Sequence, residues 1–169
     1  MNSNVKFYAP GYQEAKTYGL AVVFVFGNIL FPQLFHSIPK GGMIFLPIYF
    51  FTLVGAYKFG WKVGLLTAVF SPLINSWLFG MPAPAVLPII LVKSTLLALA
   101  AGWTGVHFQK ATLPLLIGVV VFYQLVGGLA EWAMSGSLEA ALQDWRLGFP
   151  GMLLQIFGAW AVINLAWKK

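Results

Sequence analysis

Lys93 is the strongest candidate for a functional residue in this chain, because it is the one charged residue in the apolar run 85–101. A charge near the centre of a membrane-spanning helix costs at least about 2.5 kcal/mol, so such residues are rare and are typical of functional sites. An ammonium group at that depth binds either an anionic or acceptor-rich solute or a carboxylate on a neighbouring helix. The sequence therefore leaves two roles open for Lys93, a binding role and a bracing role.

Further polar and aromatic residues interrupt the other apolar runs. They are Asn28, Gln33, His36, Ser71, Asn75, Ser76, Trp77, Ser94, Tyr123, Gln124, Glu131, Trp132 and Gln155. Taken singly, serine and amide side chains are typical of interhelical hydrogen bonds. Taken as a set with Lys93, the amide and aromatic groups favour a pocket for a small, partly planar solute.

Catalytic and metal chemistry are not indicated. The chain has no cysteine, and HExxH, GxSxG and phosphate-loop motifs are absent from it. His36 and His107 fall on opposite sides of the expected membrane, which disfavours a paired histidine metal site. An acid–base pair of His36 with Glu131 is conceivable but much less favoured than separate structural roles. We therefore expect no enzyme activity, no catalytic residue, no metal and no cofactor.

The elements that must position these residues are membrane helices. The chain of 169 residues is 60% hydrophobic and 8% charged, with a mean hydropathy of +0.84, whereas soluble domains carry about 25% charged residues. We predict an all-α, polytopic protein in which residues 1–169 form one transmembrane domain. Its six spans lie near 16–37, 42–57, 60–79, 84–106, 111–135 and 149–167. The polar connection 135–148 contains Leu138, Leu142 and Trp145, which indicate a short helix on the membrane surface.

Lysine and arginine positions predict the orientation. If both termini share one side, that side carries seven basic residues and the opposite side carries two. The seven are Lys6, Lys16, Lys58, Lys62, Lys110, Lys168 and Lys169, and the two are Lys40 and Arg146. Both termini are thus predicted to be cytoplasmic. Glu131, Glu139 and Asp144 then fall at or near the outer surface.

This topology places most of the polar residues named above in the outer halves of the spans. The inner halves are nearly bare, with Thr67, Thr104 and Asn164 as their main polar groups. Polar groups in hydrocarbon are costly unless they are satisfied. The asymmetry predicts a cavity that opens outward above an apolar floor. In this arrangement Glu131 lies closer to the outer surface than Lys93, so a pairing between the two is possible but not favoured by geometry.

Several stretches resemble the substrate-binding S components of energy-coupling factor (ECF) vitamin transporters. A Gly-Gly turn and Leu-Pro lie in 39–48, Gly55 follows, and a Gly-x-x-x-Gly turn lies in 59–66. The resemblance continues through Ser71-Pro72-Leu73, Gly80-Met81-Pro82 and the alanine-rich stretch 93–102. It covers roughly residues 39–102, and the six-helix length is similar to that of the family.

The resemblance implies high-affinity capture of a vitamin or vitamin precursor from outside, followed by reorientation in a complex with a T component and two ATPase subunits. It implies a multi-pass protein of a bacterial or archaeal cytoplasmic membrane, without nucleic acid as a partner. Its solute site would be formed by Gly41, Gly42, Lys93, Gln124 and Gln155. From the outward polar cluster we add Asn75, Tyr123, Glu131, Trp132 and His36. The stretch over helices 2 and 3 looks most like S components assigned to cobalamin precursors.

The first helix departs from the family pattern. In place of an Ala-x-x-x-Ala face for the T component, it has Ala15 and Gly19 four residues apart, a spacing that allows close helix approach. Two other functions stay open. One is a self-sufficient facilitator or ion-coupled carrier, and the other is a membrane scaffold that transports nothing.

Overall fold

The computed structural model describes residues 7–35 and 37–166, whose regular secondary structure is helical, with no strands. Within these ranges, ten α-helices follow one another along the chain, with one 3-10 turn and one π turn between them. They are α1 (Ala15–Leu34), α2 (Gly41–Phe45), the 3-10 turn (Pro47–Tyr49), α3 (Phe50–Phe59), α4 (Trp61–Phe79), α5 (Leu87–Phe108), α6 (Leu113–Ser135), α7 (Leu138–Ala141), α8 (Gln143–Arg146), α9 (Phe149–Leu153), the π turn (Leu154–Gly158) and α10 (Ala159–Ala166).

Four helices in the described part of the chain are long and apolar enough to cross a membrane. They are α1, α4, α5 and α6, with 20, 19, 22 and 23 residues, close to the length of about 20 that hydrocarbon requires. They confirm the predicted helices near 16–37, 60–79, 84–106 and 111–135, with ends displaced by up to three residues. The chain is therefore an all-α, multi-pass membrane protein.

The predicted continuous span 42–57 is wrong in one respect, because the chain breaks after α2. Leu46 has a φ of +46°, in the left-handed region, and Pro47 opens the 3-10 turn that leads into α3. Proline has no N–H and disfavours helical backbone in the residue before it. The Leu-Pro pair therefore divides this segment into a short helix, a tight turn and a ten-residue helix.

The last predicted span, 149–167, is helical from Phe149 to Ala166 but changes its winding at the π turn Leu154–Gly158. The preceding segment 138–146 is bent by 55° from it, and the two together are long and apolar enough for one more, broken span. The segment 135–148 is helical as expected, in the form of two four-residue helices, α7 and α8. The predicted end at Trp167 lies outside the described residues.

Helix α3 lies at the centre of the bundle, because its residues from Thr52 to Lys58 are buried between α1, α4 and α5. A β-carbon at Gly105 of α5 would lie 1.9 Å from the Tyr57 carbonyl oxygen, so only glycine permits this approach. The Tyr57 hydroxyl donates to the Lys110 carbonyl over 2.9 Å, and Asn164 Nδ2 donates to the Ala111 carbonyl over 3.0 Å. These contacts bring the ends of α3 and α10 to the start of α6.

The bundle thus has two ends. The Lys62 end is where α4 and α6 begin and where α3, α5 and α10 finish. The Lys93 end is where α5 begins, where α4 and α6 finish, and where α7 and α8 lie. Lys93 is the seventh residue of α5, which places its Cα about 9 Å along the helix from its start at a rise of 1.5 Å per residue.

Candidate functional site

Lys93 forms two salt bridges inside the bundle. Its Nζ lies 2.5 Å from Glu131 Oε2 on α6 and 2.7 Å from Asp144 Oδ2 on α8. The lysine side chain is 3% exposed, and the two carboxylates are 16% and 15% exposed. We call these three residues the ion cluster. The pairing with Glu131, which the sequence did not favour, is formed because a lysine side chain spans several ångströms, and Lys93 extends toward the end of the bundle at which Glu131 lies.

Gly127 leaves space for the Lys93 side chain to extend toward Glu131. A β-carbon at Gly127 would lie 2.6 Å from Lys93 Cγ and 3.5 Å from Cδ and Cε. The aliphatic stem of Lys93 therefore lies directly on the backbone of α6. Glu131 is one helical turn beyond Gly127, and Tyr123 is one turn before it, so the three residues share one face of α6. We call Tyr123, Gln124, Gly127 and Glu131 the polar stripe of α6.

Asp144 reaches Lys93 from the connection between α6 and α9. Residues 138–146, the α7–α8 segment, begin with a capped turn in which the Ser137 hydroxyl accepts a hydrogen bond from the Ala140 N–H over 3.2 Å. Asp144 lies in the first turn of α8, where a carboxylate interacts favourably with the helix dipole. The salt bridge to Lys93 thus ties this connecting segment to a residue within the bundle.

A second group of polar side chains lies one turn deeper on the same stripe. The Tyr123 hydroxyl donates to Gln155 Oε1 over 2.8 Å and accepts from Gln124 Nε2 over 3.0 Å. All three residues are at most 1% exposed. Gln155 comes from the π turn, and such turns are frequent at functional sites. Tyr123 lies one helical turn from Gly127, on which the Lys93 stem packs, so this hydrogen-bonded group and the ion cluster are neighbours along α6.

Three polar atoms of this region have no hydrogen-bond partner among the described residues. They are Ser94 Oγ, Gln124 Oε1 and Gln155 Nε2, each on a side chain at most 1% exposed. An unsatisfied buried polar group costs about 1–3 kcal/mol. They lie on α5, on α6 and in the π turn, and each offers a hydrogen bond that the described side chains leave unused.

The charges of the ion cluster do not sum to zero. One ammonium group faces two carboxylates, so Lys93, Glu131 and Asp144 together carry a formal charge of −1 when all are ionised. Lys93 therefore does not offer an open positive charge while both carboxylates stay in place. The arrangement can bind and orient polar groups, and it can hold the α7–α8 segment against the bundle.

Asn75, another predicted site residue, belongs to a different network. Asn28 donates through Nδ2 to Thr52 Oγ1 and Ser71 Oγ, over 2.9 and 3.2 Å, and accepts from the Phe51 N–H over 3.0 Å. Asn75 Nδ2 donates to the carbonyls of Asn28 and Ser71, each over 3.0 Å. The network satisfies a backbone N–H beside the break before α3, as a membrane interior requires. The serine and amide side chains of this network therefore form interhelical hydrogen bonds, the role that is typical of such residues taken singly.

Trp132, Trp77, Gly41 and Gly42 form no side-chain hydrogen bond or salt bridge with the ion cluster among the described residues. Trp132 is 48% exposed and Trp77 is 83% exposed, which is the position of lipid-facing or interfacial side chains. Gly41 is buried against the Phe35 carbonyl, whereas a β-carbon added at Gly42 would have no described atom of another part of the chain within 4 Å. His36 lies outside the described residues.

Two residues that complete the site are not among those predicted from the sequence. Asp144 is expected there only at the outer surface, and Gly127 is not singled out. A signal for Asp144 does exist in the sequence, since it is an acidic residue flanked by Leu142 and Trp145, which are apolar residues of a segment that contacts the membrane or the bundle. Gly127 could have been found from its place four residues before Glu131. In residues 7–35 and 37–166, no group of three metal-ligating side chains is present.

Comparison of the chain with protein-family models, with curated proteins and with solved structures gives no match. The function is therefore inferred from the side chains themselves.

Proposed function

We propose that this protein is a membrane-embedded solute-binding subunit for uptake, similar to the S components of ECF transporters. It would capture a small polar solute, such as a vitamin or vitamin precursor, and carry it inward by reorientation without chemical change. The observation that supports this proposal is the group of three buried, unpartnered polar atoms that Ser94, Gln124 and Gln155 hold within the described part of the chain.

These atoms suit a bound solute better than a closed core. Buried polar groups in proteins nearly always have a partner, and the Asn28 network of this chain shows such pairing in full. A solute with amide or hydroxyl groups supplies the missing partners for Ser94, Gln124 and Gln155. A cobalamin precursor, which the resemblance of the stretch over helices 2 and 3 suggests, stays one candidate.

Lys93 has a modified role in this proposal. The sequence favoured direct contact between its ammonium group and the solute, but Glu131 and Asp144 engage that group. We propose that Lys93 holds the α7–α8 segment over the polar atoms, and that it reaches an acceptor group of the solute when Asp144 moves away. Glu131 would then keep the lysine charge paired.

Six spans with both termini in the cytoplasm remain our proposed topology. Besides the four long helices, the broken segment 41–59 and the helical segment 149–166 each approach the length that a membrane requires. The lysine-rich Lys62 end would face the cytoplasm. The solute site, at the Lys93 end, would face outward, which is the orientation needed for capture from outside.

The proposed partners are a T component and two ATPase subunits in a bacterial or archaeal cytoplasmic membrane. Ala15 and Gly19 are both exposed on α1. A β-carbon added at Gly19 would have no described atom of another part of the chain within 4 Å. This small-residue face is therefore open to a partner helix.

The proposal is tested by purifying the protein in mild detergent and identifying by mass spectrometry what stays bound. A solute-binding subunit retains a small polar molecule at about one copy per chain and does not transport it alone in liposomes. Transport by the purified chain alone would instead establish a self-sufficient facilitator. If neither a bound solute nor transport is found, and a protein partner co-purifies through α1, the scaffold function is correct.

A further inference from the structure

A cleft lies at the Lys62 end, the opposite end of the bundle from the proposed solute site. It has a volume of about 450 Å³ and three walls. The walls are the N-terminal residues Ala9 and Pro10, the turn from Phe59 to Lys62 between α3 and α4, and the last turns of α5, including Trp103 and His107. None of these residues belongs to the ion cluster or to the polar stripe of α6.

Lys62 gives the cleft a positive charge. Its Nζ lies 5.3 Å from the ring centre of Tyr12 and 5.8 Å from that of Trp61, and within residues 7–35 and 37–166 it forms no salt bridge. The Glu14 carboxylate, which accepts hydrogen bonds from the Tyr8 hydroxyl and the Gly11 N–H, contributes a nearby negative charge. No described carboxylate lies within salt-bridge distance of the Lys62 ammonium group, so an external anion can still pair with it directly.

Two tryptophans indicate the depth of the cleft in the membrane. Trp61 begins α4 and is 41% exposed, and Trp103 is 60% exposed on α5, where its ring stacks on His107 at 5.0 Å. Exposed tryptophans near the ends of membrane helices lie at the level of the lipid headgroups. The cleft is therefore next to headgroups and to the first carbons of the acyl chains.

We propose that this cleft binds the headgroup of an anionic phospholipid. Lys62 would pair with the phosphate, while Trp61 and Trp103 would contact the glycerol and the upper acyl chain. A free phosphate ion fits less well, because the cleft offers one ammonium group among mainly apolar and aromatic side chains. Basic pockets between membrane helices on the cytoplasmic side are suited to anionic lipids. This inference rests on the proposed orientation of the bundle, with the Lys62 end in the cytoplasm, but not on solute uptake.

The test is native mass spectrometry of the full chain incubated with phosphatidylglycerol or with phosphatidylcholine of the same acyl chains. Lys62→Gln should lower the retention of phosphatidylglycerol about fivefold, the loss expected for one basic residue at a membrane surface. Lys110→Gln is the matched control, because Lys110 is exposed at the same end but outside the cleft. Lys62→Arg should keep the lipid, and Trp103→Leu should weaken its retention without changing the charge.

Three results would overturn the proposal. The first is unchanged phosphatidylglycerol retention in Lys62→Gln. The second is an equal loss in Lys62→Gln and Lys110→Gln, which would show attraction to the general positive charge of this end. The third is displacement of the lipid by millimolar inorganic phosphate, which would make the cleft a site for a free anion.

Discussion

The Lys93 stem lies against Gly127, and its Cγ is 2.6 Å from the point that a β-carbon at Gly127 would occupy. This contact directs the ammonium group along α6 to Glu131, one turn further on. It explains how a lysine about two turns inside α5 meets carboxylates that belong to the end of the bundle.

A methyl group at Gly127 should therefore displace Lys93. Gly127→Ala is expected to destabilise the protein by about 1–3 kcal/mol, the usual cost of overpacking a well-packed interior. Gly118→Ala on the same helix is the matched control, because no described atom of another element lies within 4 Å of its β-carbon position, and alanine is a better helix former than glycine. Unfolding in mixed detergent micelles, followed by tryptophan fluorescence, compares the two. Equal stabilities would show that the Lys93 stem does not need the glycine.

Removal of the Lys93 charge should destabilise the fold, because it leaves two carboxylates without a cationic partner. Lys93→Met is expected to lower the free energy of unfolding by about 3 kcal/mol, as for other buried ion pairs that lose one partner. The triple variant Lys93→Met, Glu131→Gln, Asp144→Asn should recover most of that loss, because no uncompensated charge remains. The same unfolding measurement tests both. A triple variant no more stable than the single one would contradict the assignment of the loss to unpaired charge.

Asn28 should matter for stability rather than for solute binding. Asn28→Leu leaves the Phe51 N–H without its acceptor, and a buried N–H without a partner costs about 2 kcal/mol. Gln33→Leu, on the same helix and half-buried, has no side-chain hydrogen bond in the described part of the chain and should change stability by less than about 0.5 kcal/mol. Solute retention should persist in both variants. Loss of the solute in a folded Asn28→Leu protein would move the site to this network.

The N-terminal segment should respond to acid through Glu14. The hydrogen bond from the Tyr8 hydroxyl, followed by that from the Gly11 N–H, holds the pKa of the Glu14 carboxyl below its usual value. Because the folded-state pKa is the lower one, this contact contributes stability above the usual glutamate pKa and loses it as the pH falls through the lowered value. Tyr8→Phe should raise the Glu14 pKa in a carbon-13 NMR titration, and Tyr12→Phe should not. Identical Glu14 titrations in wild type and Tyr8→Phe would exclude the contact.

The sequence was sufficient for the long helices because their apolar runs match the membrane thickness and end at Gly or Pro. It was also sufficient to name Lys93, Tyr123, Gln124, Glu131 and Gln155, since a polar group in an apolar run stands out whatever it contacts. It was not sufficient to pair them. Which carboxylate meets Lys93 depends on helix rotation and on the approach that Gly127 allows, and neither is encoded in the spacing along one helix.

The break at Leu46 was missed for a related reason. Hydropathy is continuous across 42–57 and gives no sign of a break. The backbone geometry there is set by Pro47, and by Asn28 on another helix, which accepts a hydrogen bond from the Phe51 N–H.

The proposed function depends on whether Ser94, Gln124 and Gln155 are solute ligands, and Ser94→Ala tests this most directly. Ser71→Ala is its matched control, because Ser71 is an equally buried serine whose hydroxyl accepts a hydrogen bond from Asn28. The measurement is solute retention in native mass spectrometry, together with the stability of the solute-free protein.

We predict that Ser94→Ala loses the bound solute by about tenfold, the effect of one hydrogen bond of about 1.4 kcal/mol, while the empty protein is as stable as wild type or more stable. Ser71→Ala should keep the solute and be less stable. A solute site would be contradicted if Ser94→Ala is destabilised like Ser71→Ala and retains as much solute as wild type. It would also be contradicted if the wild-type protein retains no solute. These side chains would then have a structural role.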